Sequence, residues 1–552
     1  MAKNKLKVVA LGGLGEIGRN MTLLEYGEDI MIIDAGLMFP EDDMLGIDLV
    51  IPDMTYLMEK KDKVRGVVIT HGHEDHTGGL PYLLNSLPVP VYATRLTQGL
   101  ISVKLKEHKL LEGASLNIIQ PGDEVKLGVF RVEFFPVSHS IPDGVGLVVH
   151  TPVGIVIHSG DFKFDHTPVD GKLTDFSTLA KFGSQGVLLL MSDSTRAEIP
   201  GYTPSESEIG LALDRVIGEA EGRVIVATFA SLISRVQQVI DAAVKHERKV
   251  VVMGRSMINN VRMATEMGYL HIPPDTLVRP DEAVHLPSQQ LVIIVTGSQG
   301  EPTSILTRLA TGDDKYLHIR PHDTVLISAS PIPGNEQLVN RTIDNLFKKG
   351  ANVIYHDIAR VHVSGHGSQE ELKMMINLVR PQYFVPIHGE YRHLTMHARL
   401  AQSLGVPEQN TFVLDNGQIL EISANSAKVV TRIPAGYVYV DGLGVGDIGH
   451  VVLRDRRLLA QDGILVVVIA VDARTGKVVT RPDIVSRGFV FMRESEDLIE
   501  EARDLVTANL DHGSDRLAEW GFINTKIKDT LSRFFYERTK RRPMILPVVV
   551  EV

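Results

Sequence analysis

The run His71-Gly72-His73-Glu74-Asp75-His76 constrains the fold and chemistry of this chain more than any other segment. It directly follows Val67-Val68-Ile69-Thr70, whose apolar, β-branched character predicts a strand. One strand end therefore presents three histidines and an aspartate together. His71 and His73 stand two apart, and in extended backbone such residues point the same way, so they can share one ion. Past the bend, Asp75 and His76 reach toward a second. The chain has no cysteine and 21 histidines. Disulfides, zinc ribbons, iron–sulfur clusters and thiol nucleophiles are thereby excluded. Any metal has to rest on nitrogen and oxygen donors.

A site for two ions needs more ligands, and the sequence offers them at comparable positions. His139 follows Phe134-Phe135-Pro136-Val137-Ser138, Asp161 follows the apolar run that starts at Ile155, and His388 follows Tyr383 to Ile387. Each is a ligand type just beyond an apolar strand. The motif Gly13-Leu14-Gly15-Glu16-Ile17-Gly18, with Asp34 further on, imitates a dinucleotide-binding fingerprint. That fingerprint requires a helix after the last glycine, whereas Met21 to Tyr26, a turn at Gly27 and Asp29 to Ile33 predict a hairpin. The glycines are better read as letting the backbone turn closely beneath a neighbouring site.

At 552 residues the chain has room for roughly three or four domains. Short strands punctuated by Gly and Pro fill residues 1–202. Helices and buried strands alternate over 203–360, the pattern of a doubly wound α/β module, with Thr203-Pro204-Ser205-Glu206 as a helix start. A return segment at 361–425 and a linker at 426–450 lead to a smaller α+β domain at 451–552. The net charge of −11 argues on its face against a nucleic-acid partner. Leu6 to Leu11 is too short for the core of a signal peptide. Ile464 to Val471 falls far below the ~20 residues of a membrane helix. A cytoplasmic protein with no membrane contact is expected.

With these residues in view, the sequence resembles the metallo-β-lactamase superfamily, and more narrowly the β-CASP nucleases and bacterial ribonuclease J. The likeness rests on Asp34, the 71–76 run, His139, Asp161, Asp193 in Ser192-Asp193-Ser194-Thr195-Arg196, His366 and His388. It covers essentially the whole chain. It implies an αββα metallo-β-lactamase sandwich interrupted by a β-CASP α/β insertion, plus the C-terminal α+β domain as an oligomerisation unit. It also implies two zinc ions per subunit, with manganese or magnesium as substitutes. His71, His73 and His139 would hold one ion, and Asp75, His76 and His388 the other. Asp161 would bridge them, and Asp34 would orient a histidine from outside. Asp75, Asp161, Asp193 and His366 are the implied catalytic residues, with Asp75 taking up a proton from water and His366 touching the scissile phosphate. The implied activity is 5′-to-3′ exonuclease action on single-stranded RNA with a 5′-monophosphate, alongside endonuclease cleavage, in RNA maturation and mRNA decay. Implied partners are a second or further copies of the chain, as homodimer or homotetramer, and other RNA-decay enzymes. An enzyme acting on DNA ends and a non-catalytic scaffold of an RNA-decay complex stay open as alternatives.

A phosphate pocket is expected at His362-Val363-Ser364-Gly365-His366-Gly367-Ser368, a turn feeding a helix whose N-terminus offers free N–H groups. Ser368 and Glu371 predict a capping box. Two loops of the insertion join the expected pocket: Phe229-Ala230-Ser231, whose aromatic suits base stacking, and Ser328 to Asn335, which includes Ser330. Asp48 and Asp441 offer a weak calcium signal. Arg533, Arg538, Lys540, Arg541 and Arg542 form a basic cluster, read first as a solvated helix end.

Overall fold

The computed structural model describes residues 5–552 except 299–303, 332–334, 357, 360, 473–477, 491–494 and 512–519. By internal contacts the chain divides into Met1–Phe39 with Leu49–Val438, and Pro40–Asp48 with Tyr439–Val552.

Two sheets face each other in the first unit. In one, Leu6–Gly12, Met21–Tyr26 and Asp29–Ile33 pair antiparallel, and Val64–Val68, Val91–Thr94 and Leu116–Ile119 extend it in parallel. Gly27, at φ 63°, makes the turn of the hairpin expected from Met21 to Ile33. In the other sheet, Phe130–Pro136, Val145–Thr151 and Gly154–His158 are antiparallel. Val187–Asp193 and Pro381–Ile387 then continue it in parallel. Val8, Leu24 and Val68 meet Phe134, Leu147, Leu189 and Val385 between the sheets. The outer faces are covered by helices, through Leu83, Ile101 and Leu105 on one side and Leu179, Met375 and Ile376 on the other. The result is the αββα sandwich. Strands buried on both faces carry continuous apolar runs, as Val187–Asp193 does over its first five residues. The helix Arg95–Glu107 carries a Gly and several β-branched residues and escapes a strand-weighted reading.

The insertion is a five-stranded parallel sheet, in the order Lys249–Val252, Leu291–Val295, Val224–Ala227, Thr324–Ile327, Asn352–Ile354. Ile233–Lys245 lies on one face through Val236, Val239, Ile240 and Ala243. Glu336–Lys348 lies on the other through Val339, Ile343 and Leu346. The helix expected to begin with Thr203 as its cap instead begins at Ser207, with Glu206 before it. The reason is competition for polar groups. Thr203 N–H donates to Glu371 Oε2 at 2.7 Å and its hydroxyl to His366 O at 2.8 Å, while Glu206 forms a buried ion pair with Arg235. Arg235 also donates to Val361 O at 3.2 Å and to the Ser328 hydroxyl, which itself donates to Val361 O at 2.7 Å. A buried cation thus stitches the insertion to the segment that returns to the sandwich.

In the second unit, Ile464–Val471 pairs parallel with Met544–Glu551 and antiparallel with Asp483–Arg487. Leu465, Val467, Ile469 and Ile545 pack against Ile499, Val506, Leu531 and Phe535 of the helices Glu496–Asp511 and Trp520–Thr539. A strand expected at Lys477 to Thr480 begins on a residue outside those described, and Val478 makes a single bridge to Val471. The short Asp483–Arg487 strand was not anticipated, because its polar ends leave only two apolar residues to signal it.

Candidate metal centre

Strand ends build the centre. Asp34 closes Asp29–Ile33 in the left-handed region, at φ 62°, and His388 follows Pro381–Ile387 at φ 52°. Such backbone is uncommon for residues with a side chain and concentrates at functional sites. Asp34 accepts Thr70 N–H at 2.8 Å, the Thr70 hydroxyl at 2.9 Å and His76 Nδ1–H at 2.7 Å. Gly13 and Gly36 allow the chain to pass beneath: a Cβ on Gly13 would lie 2.2 Å from Asn20 Oδ1, and one on Gly36 1.6 Å from Asp75 O. Asn20 Nδ2 in turn lies 3.1 Å from Asp75 O and 3.2 Å from His76 Nε2.

Hydrogen bonds on the far side of each ring set the tautomers. His139 Nδ1–H donates to Gly365 O at 2.8 Å, so Nε2 keeps its lone pair. His71 Nδ1–H donates to the Thr70 hydroxyl at 3.1 Å, because that hydroxyl is itself donating to Asp34. His388 Nδ1–H donates to the Thr195 hydroxyl at 2.6 Å, which donates on to Asp193 Oδ1 at 2.9 Å. Consequently the lone pairs of His71 Nε2 and His139 Nε2 both face His73 Nδ1, at 3.0 and 3.1 Å. A single proton on His73 can satisfy only one of them, whereas a cation among the three nitrogens satisfies all. Beside this set, Asp161 Oδ2 is 3.2 Å from His76 Nε2 and 3.5 Å from His388 Nε2, and Asp75 Oδ2 is 3.1 Å from His388 Nε2. Asp161 Oδ2 also lies 3.7 Å from His71 Nε2 and 4.0 Å from His139 Nε2, placing it between the two groups. The donor atoms of His71, His73 and His139 form one cluster, and those of Asp75, His76, Asp161 and His388 another. Imidazole and carboxylate donors in these numbers suit zinc and similar divalent ions.

The electrostatics agree with that donor chemistry. Burial holds His71 and His139 well below the usual imidazole range and His73 down to about 4, so these three are neutral ligands. Burial opposes charge on His388 as well, but Asp161, Asp75 and Asp193 outweigh it and lift it to about 9. Asp75 and Asp161 stay ionised because His76 and His388 overcome their desolvation. Without a cation, then, the second cluster would hold protons in its place.

His366 abuts the centre. Its Nδ1–H donates to Asp193 Oδ2 at 2.7 Å, and its ring stacks on His388 at 5.2 Å. The expected phosphate pocket is only partly open. Val363, Gly365, Gly367 and Ser368 are buried, while His362, Ser364 and His366 are half-buried. Gly365 is required because a Cβ there would sit 2.6 Å from the His139 ring. The expectation of free N–H groups at this turn is corrected. His366 N–H donates to the Ser364 hydroxyl, Gly367 N–H to Phe162 O, Ser368 N–H to Glu371 Oε2, Gln369 N–H to Ile199 O and Glu370 N–H to Gly201 O. The capping box of Ser368 and Glu371 is present. Phe229, Ala230 and Ser231 are half-buried at a strand end of the insertion, where Ala230 packs against the insertion's core. Ser330 follows Ser328, which is tied to Val361. Residues 332–334 of that loop lie outside those described.

Elsewhere, Asp48 accepts Gly442 N–H at 2.7 Å and Asp441 pairs with Arg456 at 2.5 Å, so protein donors use the carboxylates expected to hold calcium. Arg538 pairs with Glu501, Arg541 donates to Phe489 O, and Lys540 and Arg542 lie over the Tyr536 ring. Much of the basic cluster is therefore engaged structurally. Among the described residues no helix is long and apolar enough to cross a membrane.

Comparison with known proteins settles the lineage. Residues 14–201 match the metallo-beta-lactamase superfamily, 221–346 the ribonuclease J beta-CASP domain, 350–413 the Zn-dependent metallo-hydrolase RNA specificity domain, and 451–552 the ribonuclease J C-terminal domain. Ribonuclease J2 of Bacillus subtilis is 44% identical over 99% of both chains. Ribonuclease J 1 of Streptococcus pyogenes is 46% identical over 99% of this chain and 98% of its own. The chain belongs to the ribonuclease J family. Ribonuclease J of Thermus thermophilus is 46% identical over 100% of this chain and 96% of its own. A crystal structure of an Enterococcus faecalis protein of unknown function shares the fold, with a TM-score of 0.54 at 17% identity over 76% of this chain and 100% of that one. Membership makes this chain a metal-dependent ribonuclease, a hydrolase of phosphodiester bonds.

Sequence reasoning passed over Thr70, Thr195 and Asn20, which orient the ligands. Hydroxyl and amide residues lack a distinctive spacing. The signal available was proximity, since Thr70 and Thr195 directly adjoin His71 and Asp193-Ser194.

Proposed function

We propose that the chain degrades RNA from a 5′-monophosphate end, nucleotide by nucleotide, and also cuts internally, in RNA maturation and mRNA decay in the cytoplasm. The observation that carries this is the pairing of two adjoining donor clusters, with Asp161 of the second facing His71 and His139 of the first, and the His366–Asp193 dyad beside them. His71, His73 and His139 would hold one zinc ion, Asp75, His76 and His388 the other, with Asp161 between. Bound there, the ions would lower the pKa of an attacking water and offset charge on the phosphodiester. Asp75, whose side chain is partly exposed, is placed to accept the water's proton. Asp193 fixes His366 through Nδ1–H and would stabilise a second proton at Nε2, which in that form donates to a phosphate oxygen or passes its proton to the leaving oxygen.

Self-association is part of the reading. Leu546, Val548 and Val550 alternate along Met544–Glu551 and are 46%, 38% and 43% exposed, beside Val466, Val468 and Ala470 in register. One sheet face is packed by helices and the opposite face is apolar and open, which supports a homodimer or homotetramer. The test is digestion of one labelled RNA with a 5′-monophosphate, triphosphate or hydroxyl end, beside its DNA counterpart, with and without chelator. Monophosphate RNA should be degraded fastest and chelator should stop it. Equal rates at all ends, or preference for DNA, would overturn the reading.

A further inference from the structure

The glycine run Gly13-Leu14-Gly15-Glu16-Ile17-Gly18 leads into Arg19 and Asn20, and this loop addresses one donor cluster of the metal centre and not the other. Leu14-Gly15 pairs in parallel with Gly389-Glu390, the two residues that follow His388. Asn20 N–H donates to Asp75 O at 2.9 Å, and Asn20 Nδ2–H reaches His76 Nε2 at 3.2 Å. Asp75, His76 and His388 belong to the same cluster. The rings of His71, His73 and His139 face Thr70, one another, Gly365 and Ser140, none of them in the loop. On its other side the loop holds both segments that lead into the second unit, which the chain enters after Phe39 and again after Val438. Arg19 N–H donates to Leu37 O at 2.7 Å, and a Cβ on Gly18 would lie 2.9 Å from the Met38 side chain. Arg19 Nη1–H donates to Gly436 O at 2.8 Å, and the guanidinium lies 4.4 Å above the Tyr437 ring.

Arg19 is 2% exposed and sits at φ 40°, backbone that a residue with a side chain seldom adopts and that gathers at functional sites. Burying a guanidinium is costly unless its charge and its N–H groups are met. Glu16 meets the charge through Oε2 at 3.2 Å, and Leu11 O takes a further N–H at 3.3 Å. Glu16 is itself fixed, because its Oε1 accepts Gly13 N–H at 3.0 Å and Asn416 Nδ2–H at 2.9 Å. The planar fork of an arginine spans such partners at once, which the single ammonium of a lysine cannot do. A shift of Leu37 or Gly436 is therefore passed through Arg19 to the adjoining peptide of Asn20, and from there to Asp75 and His76.

We propose that Arg19 is a positioning residue for the Asp75, His76 and His388 donors, through which the two segments leading into the second unit set how tightly that cluster holds its ion. This rests on the two-cluster reading above. The experiment titrates the full chain loaded with zinc, beside Arg19→Lys and Tyr437→Leu, with a graded chelator and counts the zinc retained per chain. The unsubstituted protein should release two ions in two steps. Both variants should shift one step toward weaker binding by roughly tenfold, the usual loss for a residue that orients a ligand, and leave the other step in place. His388→Ala identifies the affected step by removing it. Tyr437 is 37% exposed, so its variant tests the coupling without opening the core, and it decides alone should Arg19→Lys fail to fold. Unchanged steps, equal weakening of both steps, or a shift confined to Arg19→Lys overturns the coupling. A single step in the unsubstituted protein, or His388→Ala without effect on the zinc retained, overturns the two-cluster reading and this inference with it.

Discussion

His76 gives its Nδ1–H to Asp34 Oδ2 at 2.7 Å, although the two residues stand 42 positions apart in the chain. That bond fixes which nitrogen of His76 faces Asp161. Asp34→Asn keeps a residue tolerated at positive φ but offers an amide where the carboxylate was. Metal affinity should fall by roughly 10- to 100-fold, as for other residues that orient a ligand. Competition with a graded chelator, followed by metal analysis, measures it.

Asp193 and His366 form the second such relationship. His366→Ala should reduce turnover by roughly 10²- to 10⁴-fold, the usual worth of a proton-transferring group. Asp193→Asn should cost less, since it misdirects the ring without removing it. Metal content should stay unchanged in His366→Ala, and single-turnover kinetics would separate the chemical step from binding.

Glu371 is fully buried and accepts three backbone N–H groups from three separate segments. Glu371→Ala would orphan all of them, at a cost of roughly 3 kcal/mol or more. The midpoint of urea unfolding should drop, and the variant should lose nuclease activity before it loses secondary structure.

Acid stability has a defined direction. Burial holds His397 to about 3, with Nδ1 against the Ser194 hydroxyl and the ring edge-on to Phe384. In the unfolded chain this imidazole takes a proton below about 6.5, while in the folded chain it does so only near 3. Between those values the unfolded state binds more protons, so stability falls as pH falls, by up to ~1.4 kcal/mol per pH unit for this group. His397→Gln should flatten the slope of unfolding midpoint against pH between 6.5 and 4, and an unchanged slope would refute the assignment.

The apolar sheet face of the C-terminal unit gives a prediction about assembly. Val548→Lys places charge at its centre and should yield a smaller species by light scattering, with the far-ultraviolet spectrum retained.

How far these features were legible depends on how local they are. The run from His71 to His76 is a contiguous signal, and the apolar strands before His139, Asp161 and His388 mark where each ligand emerges. The false helix start at Thr203 shows the limit. Its sequence suits a cap, yet Glu371, far along the chain, captures its N–H. The phosphate turn failed in the same way: glycine and serine before a helix suggested open amides, and partners at Phe162, Ile199 and Gly201 closed them. Local propensity predicts what a segment offers, whereas long-range packing decides what is left to offer.

His388 meets Asp75 across 313 residues, and its strand reaches its place beside Val187–Asp193 only after the insertion between them has been made. Contacts of such separation form late. During synthesis the first half of the chain leaves the ribosome with His71, His73, His76, His139 and Asp161 but with neither His366 nor His388. Until that last strand docks, the cluster of Asp75, His76 and Asp161 lacks its fourth donor, and the His366 ring that stacks on His388 is missing with it.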